Sequence, residues 1–147
     1  MNKIFITLLT LVMLAITTSS FANGTEISKN VSAAFSAVFV KATDISWDRT
    51  GSFFKASFRM NGQSLSAFLS EDGQVVAVSR NILSTELPVY LQLVLNKNFP
   101  KYWISDLFEY TAGGETKYYV TVENADEKLI LESAGTYDWS LFKKMAK

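Results

Sequence analysis

The sequence predicts an α+β fold in which two tandem units follow one another, each a helix and then an antiparallel β-meander, over residues of about 25–82 and 83–147. Three observations carry that prediction. The first is the stretch Phe53–Arg80, where Asn61-Gly62 and Glu71-Asp72-Gly73 separate three alternating runs. Asn-Gly and Asp-Gly suit tight hairpin turns because the central residues need positive φ. A two-residue loop at Asn61-Gly62 sets Phe58 opposite Leu65, Ala56 opposite Ala67 and Phe54 opposite Leu69. A two-residue loop at Asp72-Gly73 sets Leu69 opposite Val76 and Ala67 opposite Val78. All of these pairs are apolar and share one face, as a half-buried antiparallel sheet requires. The second observation is a stretch of helical periodicity before each meander. The third is that the order of elements recurs about 60 residues later, in turn placement and apolar phase more than in identity.

Taken in order, Thr25 to Phe39 places Ile27, Val31, Ala34, Phe35 and Val38 on one helical stripe, with Lys29, Asn30, Ser32 and Ser36 on the wet side. Thr43 to Arg49 alternates as a strand, and a hairpin at Thr50-Gly51 sets Trp47 opposite Phe54 and Ile45 opposite Ala56. These fall on the same apolar face, so a first strand joins the meander without conflict. Pro88 to Asn98 is a second helix, introduced by Ser84, Thr85 and Glu86 and started by a proline. Tyr90, Leu91, Leu93, Val94 and Leu95 make it apolar over much of its circumference, which predicts deeper burial than for the first helix. Strands follow at Ile104–Tyr110, Thr116–Glu123 and Lys128–Ser133. A two-residue loop at Ala125-Asp126 pairs Val122 with Leu129, Val120 with Leu131 and Glu123 with Lys128. A three-residue loop at Ala134–Thr136 sets Leu131 against Trp139 in a last strand; a short C-terminal helix over Asp138–Lys144 is the alternative.

The chain of 147 residues suits one compact domain or two very small ones. Met1-Asn2-Lys3, the apolar run Ile4–Ile16 and the small-x-small site Ser20-Phe21-Ala22 read as a secretory signal peptide over residues 1–22, with Asn23 as the first mature residue. The apolar run falls short of the about 20 residues that span a bilayer, so no stable membrane insertion is expected after cleavage. Without Lys3, 13 basic residues face 14 acidic ones, a net charge of −1, which argues against nucleic acid or an anionic membrane surface as the main partner. There is no cysteine, so no disulfide supports an exported fold. That composition suits a Gram-negative periplasm or secretion by such a cell, where the Asn23-Gly24-Thr25 and Asn30-Val31-Ser32 glycosylation patterns have no meaning.

Several short segments together carry a family resemblance. They are Val31–Phe39, Ile45-Ser46-Trp47, Phe54–Gly62, Phe68–Arg80 with its Asp72-Gly73 turn, Leu87-Pro88 and Asn98-Phe99-Pro100-Lys101-Tyr102. In order and spacing the chain resembles the PepSY-like, β-lactamase-inhibitor-like periplasmic proteins of the Bacteroidetes over most of residues 28–133. The resemblance implies an α+β fold of tandem helix–sheet repeats and a non-enzymatic role in protein binding or inhibition. The wider PepSY idea is a secreted module that restrains a hydrolase. The last 14 residues, with Tyr137-Asp138-Trp139, depart from the pattern.

The residue inventory narrows the chemistry. There is no histidine, which removes the usual neutral-pH base, the Ser-His-Asp arrangement and the commonest zinc ligand. The lack of cysteine removes thiol nucleophiles and thiolate metal sites. Gly113-Gly114 is an isolated pair and forms no phosphate loop. The acidic pairs Glu71-Asp72 and Asp126-Glu127 read as turn residues; calcium at Asn124, Asp126 and Glu127, or a carboxylate-pair hydrolase, are the readings against that. No catalytic residue, metal or cofactor is therefore expected. Trp47, Phe54, Phe58, Tyr118 and Trp139 fall on the inner face and read as core. The outer face holds Phe53, Lys55, Arg59 and Phe68 among small serines, and Tyr119 and Ile130 in the second unit. Aromatics and arginine on an otherwise polar sheet suit a protein-binding surface, so these six residues are the expected contacts for an envelope protein or peptide. The alternative function is a small-ligand or peptide carrier with an apolar pocket between sheet and helices.

Overall fold

A computed structural model describes residues 26–146, so the predicted signal segment and its cleavage site lie outside the described residues. The fold is α+β. The elements are α1 (Lys29–Val38), β1 (Thr43–Thr50), β2 (Phe53–Met60), β3 (Gln63–Leu69), β4 (Val75–Asn81), a 3₁₀ turn (Ser84–Glu86), α2 (Val89–Asn98), β5 (Trp103–Ala112), β6 (Glu115–Glu123), β7 (Glu127–Ala134) and β8 (Asp138–Ala146). The eight strands form an antiparallel sheet in chain order, β1 to β8. The chain divides into two compact units, one ending at Val78 and one beginning at Ser79. No helix among the described residues is long and apolar enough to cross a membrane.

In the first unit the Asn61-Gly62 hairpin forms as read. Asn61 and Gly62 both take positive φ, 52° and 81°, and Phe58, Ala56 and Phe54 pair with Leu65, Ala67 and Leu69. The neighbouring hairpins differ from expectation by their loops. Gly51, at φ 62°, begins the first loop instead of ending it. Thr50 therefore pairs with Phe53 and Trp47 with Ala56. The shift is an even number of residues, so Trp47 keeps its face. A bulge between Thr43 and Ser46, with Asp44 at φ 52°, then breaks the alternation. Ile45, expected opposite Ala56 in the core, is exposed there. At Asp72-Gly73 only Gly73 has positive φ, 87°. Ser70 N donates to Gln74 O at 2.9 Å and Gly73 N to Ser70 O at 3.0 Å, which makes a three-residue loop. Ser70 explains the extra residue: its hydroxyl donates to the Asp72 carboxylate and accepts from Gln74 N, a local alternative to the ladder.

α1 begins at Ser28, whose Oγ accepts from Val31 N at 3.3 Å. Val31 and Phe35 are buried, and Val38, expected on the same stripe, is exposed at the last position of the helix. Phe35 packs edge-on against Trp47 and Phe58 with ring centroids 5.1 and 5.0 Å away, and Phe39 lies 4.8 Å from Phe58. With Phe54, Ala56, Ala67 and Leu69 they form the first unit's core.

In the second unit β6 and β7 pair as read: Val122 with Leu129, Val120 with Leu131, and Glu123 with Lys128. That last pair closes an ion pair at 3.0 Å. β5 runs on to Ala112, because Gly113 and Gly114, at φ 59° and 81°, close a two-residue turn where a longer loop was expected. The C-terminal segment is a strand. Its loop has three residues, but they are Gly135–Tyr137, so Leu131 faces Leu141 and Trp139 faces Ser133. The core gathers Ile82, Leu87, Leu91, Leu95, Leu107, Val120, Val122, Leu129 and Leu131. Trp139 Nε1 donates to Leu91 O at 3.0 Å and ties β8 to the helix.

Candidate functional site

On the outer face of the first unit, β2 carries Phe53, Lys55, Ser57 and Arg59 in one alternating row. Register places Lys55 between Asp48 of β1 and Phe68 of β3, and Ser57 between Ser46 and Ser66. Ser57 Oγ lies 3.4 Å from Ser66 Oγ, and Ser46 Oγ donates to Ser57 O at 3.4 Å. The serines satisfy one another and leave a shallow polar floor. Phe53 and Lys55 are half-buried and Arg59 is exposed. Burial lowers the Lys55 ammonium from its ordinary range, with the Asp48 carboxylate acting in the opposite sense. Arg59 makes no ion pair among the described residues.

The other three expected contacts are placed differently. Phe68 and Tyr119 have no exposed surface, and Ile130 is buried. In the second unit Tyr119 stacks on Phe108 at 5.2 Å and meets Tyr110 and Phe142 edge-on at 6.4 and 5.8 Å. These four rings form a packed cluster, not a contact surface. Alternation identified the face on which each residue lies, but a face rich in aromatic rings also gains by covering itself. Burial pushes the Tyr110 hydroxyl up to about 12, and that hydroxyl has no hydrogen-bond partner among the described residues. The Tyr119 hydroxyl is raised further, by burial and by the Glu132 carboxylate beside it, which pairs with Lys117.

A surface the sequence reading missed lies on α2. Leu91 and Leu95 are buried, but Val89, Tyr90 and Leu93 are exposed, at 57% to 71% of their full surface. Tyr137, equally open, meets Tyr90 edge-on at 5.6 Å. The helix is thus less buried than its composition suggested. The available signal was its apolar residues on all sides, which is more than one core face can absorb.

The remaining charged groups serve local structure. Glu71 pairs with Arg49, and Arg80 bridges Glu86 and Glu109 at 3.2 and 3.1 Å. Glu127 accepts from Tyr102 and pairs with Lys144, which together hold its carboxyl below the ordinary range. Asn124 Oδ1 accepts from the backbone N–H groups of Asp126 and Glu127, both at 2.9 Å, which fixes that turn. Among the described residues no three acidic side chains converge as a metal site would need. In each unit, side chains such as Val31, Phe35, Leu91 and Leu95 fill the space between helix and strands.

No protein-family model matches the chain, and no curated protein does. Solved structures share its fold. A protein of Bacteroides eggerthii, provisionally described as periplasmic, superposes with a TM-score of 0.74 at 13% identity, over 83% of this chain and 90% of that one. A BLIP-like protein of Bacteroides fragilis gives 0.69 at 17% identity, over 84% and 89%. A DUF2874 family protein of Bacteroides uniformis gives 0.74 at 16% identity, over 82% and 90%. The resemblance read from the sequence therefore holds at the level of the fold.

Proposed function

We propose that this chain is an exported, non-enzymatic binding module of the bacterial envelope, and that it engages a protein partner through the outer face of its first unit. On this reading residues 1–22 are removed on export, and the mature domain consists of two helix-plus-meander repeats. The matching order of elements in the two compact units supports the duplication. The periplasmic description of one structural neighbour and the BLIP-like description of another support the location and the class. The observation that carries the binding reading is Lys55. Its side chain lies half-buried between Phe53 and Ser57 on a serine floor, with Arg59, which makes no ion pair among the described residues, two positions further along the face. A partly desolvated cation on the same strand face as a guanidinium that makes no ion pair among the described residues favours a partner that supplies carboxylates or carbonyls.

The test is affinity capture from envelope extract with the mature domain and with Lys55→Ala, Arg59→Ala and the pair. Retained thermal unfolding shows that each variant stays folded. Each single variant should weaken capture of one defined band by about 1 kcal/mol or more. Capture unchanged in the folded double variant refutes the site. Phe68, Tyr119 and Ile130 leave the contact set, because substitutions there would report on packing. The carrier reading gains no support, since core side chains fill the sheet–helix space in each unit.

A further inference from the structure

The chain has six tyrosines, and the two that stand open to solvent are neighbours. Tyr90, in the first turn of α2, and Tyr137, the last residue of the loop before β8, are 57% and 69% exposed. Their rings meet edge to face, with centroids 5.6 Å apart and planes at 75°. The backbone is tied close by. Trp139 Nε1 donates to Leu91 O at 3.0 Å, one residue beyond Tyr90 and two beyond Tyr137. That bond holds the loop against the helix, while the two exposed rings can still turn about their own side-chain bonds. The other tyrosines differ. Tyr110 and Tyr119 have ring centroids 6.4 Å apart, but both are buried in the packed cluster. Tyr102 and Tyr118 are half-buried, and the Tyr102 hydroxyl donates to Glu127.

We propose that Tyr90 and Tyr137 form an oxidative modification site, where a one-electron oxidant of the haem peroxidase class, consuming hydrogen peroxide, joins them as dityrosine. Each phenol gives up one electron and one proton and becomes a phenoxyl radical, whose spin is shared with the carbons ortho to the oxygen. One ortho carbon of each ring forms the new C–C bond. The hydrogens on those carbons then shift to the two oxygens and restore both phenols. The two electrons and two protons removed reduce one peroxide to two waters. Proximity favours coupling within the chain. A radical on Tyr90 has the second ring beside it, whereas a radical on a solitary exposed tyrosine must wait for another molecule. In a chain without cysteine the product is a covalent staple, closing the β7–β8 loop onto the start of α2.

The test treats the dilute protein, as processed by its host, with a haem peroxidase and limiting hydrogen peroxide. The expected product is a monomer on a denaturing gel, with dityrosine fluorescence and a mass lower by two hydrogens. Its digest should join the Tyr90 peptide to the Tyr137 peptide. Tyr90→Phe and Tyr137→Phe should each abolish that product. Both positions are exposed, so circular dichroism melts of the untreated variants should match the parent. In urea the yield of the same peptide pair should fall at least about tenfold, because a long flexible loop then separates the rings. The stapled monomer should melt above the parent, since the link restricts the unfolded chain. A crosslink that survives either substitution, one that forms only between molecules, or one that forms equally well in urea overturns the proposal. So does a stapled monomer that melts at or below the parent, because the coupled rings would then not fit the native fold.

Discussion

Replacing Tyr110 by phenylalanine should make the protein more stable. Tyr110 lies on β5 opposite Lys117, nearly buried, with its ring 6.4 Å from Tyr119 and its hydroxyl unpartnered among the described residues. A buried hydroxyl without a partner costs about 1–3 kcal/mol of desolvation that nothing returns. Tyr110→Phe removes that cost and keeps the ring, so a gain of this size is expected at pH 7. For a chain of this length it would raise the melting temperature by roughly 3–5 °C per kcal/mol. The pH dependence gives a second reading of the same group. Burial favours the neutral phenol, so the hydroxyl ionises near 12 in the fold against 10.0 ordinarily. Because the folded value is the higher one, ionisation leaves stability unchanged below pH 10 and lowers it as the pH rises toward 12, since the unfolded phenol ionises first. The ceiling on that loss is about 2–3 kcal/mol. Urea titrations of parent and variant at pH 7 and at two alkaline values measure both effects, and the difference between the proteins cancels the other tyrosines. A variant less stable than the parent by more than about 1 kcal/mol at pH 7 would show that the hydroxyl is hydrogen-bonded, and the reasoning would fail.

Other perturbations have equally definite outcomes. Gly73→Ala should destabilise the first unit beyond the about 1–2 kcal/mol of left-handed backbone strain, because its Cβ would sit 3.0 Å from Ala34 Cβ and 3.4 Å from Asn30 O. Gly114→Ala, at φ 81° with nothing within 4 Å, should show the strain alone, and equal losses in urea titrations would refute the contact. Phe58→Ala should cost about 3–5 kcal/mol in the same assay, since it removes the ring against which Phe35 and Phe39 pack. Lys144 and Tyr102 hold the Glu127 carboxyl below its ordinary range, so its contribution is present at neutral pH and is lost as the pH falls through the folded value. Glu127→Gln should flatten that acid limb, and an unchanged limb in acid titrations would show that Glu127 is not its source.

Much of the meander was legible because turn chemistry and alternation agreed. Asn61-Gly62 admits one loop, and the apolar pairs on either side admit one register. The errors arose where a polar residue competed for the turn or where the strand bulged. Ser70 adds a residue to the Asp72-Gly73 loop through two hydrogen bonds that alternation does not reveal. Asp44 in a left-handed conformation exposes Ile45. Of the six expected contact residues, alternation placed three where the fold leaves them partly or fully open. Phe53, Lys55 and Arg59 are where a polar outer face would put them, whereas Phe68 and Tyr119 show that a period of two assigns a residue to a face without saying whether that face is wet.

The sheet's two edges bear on how such a module could recognise a partner. Strand addition needs a flat edge with a regular row of free backbone groups. β1 has a bulge between Thr43 and Ser46, with Asp44 at φ 52°. β8 is bulged where Ile130 and Leu131 pair with Lys143 and Leu141, which leaves Phe142 as the extra residue that turns toward Tyr119. Both edges are also charged, by Asp44 and Asp48 on β1 and by Lys143 and Lys144 on β8. Bulges and charged side chains are the usual devices against edge pairing. They disfavour a ninth strand as the mode of binding, so under the proposed function recognition would fall to side chains on a face such as the Lys55–Arg59 row of β2. A peptide that bound with the backbone spacing of a strand, insensitive to substitution of Lys55 and Arg59, would contradict this.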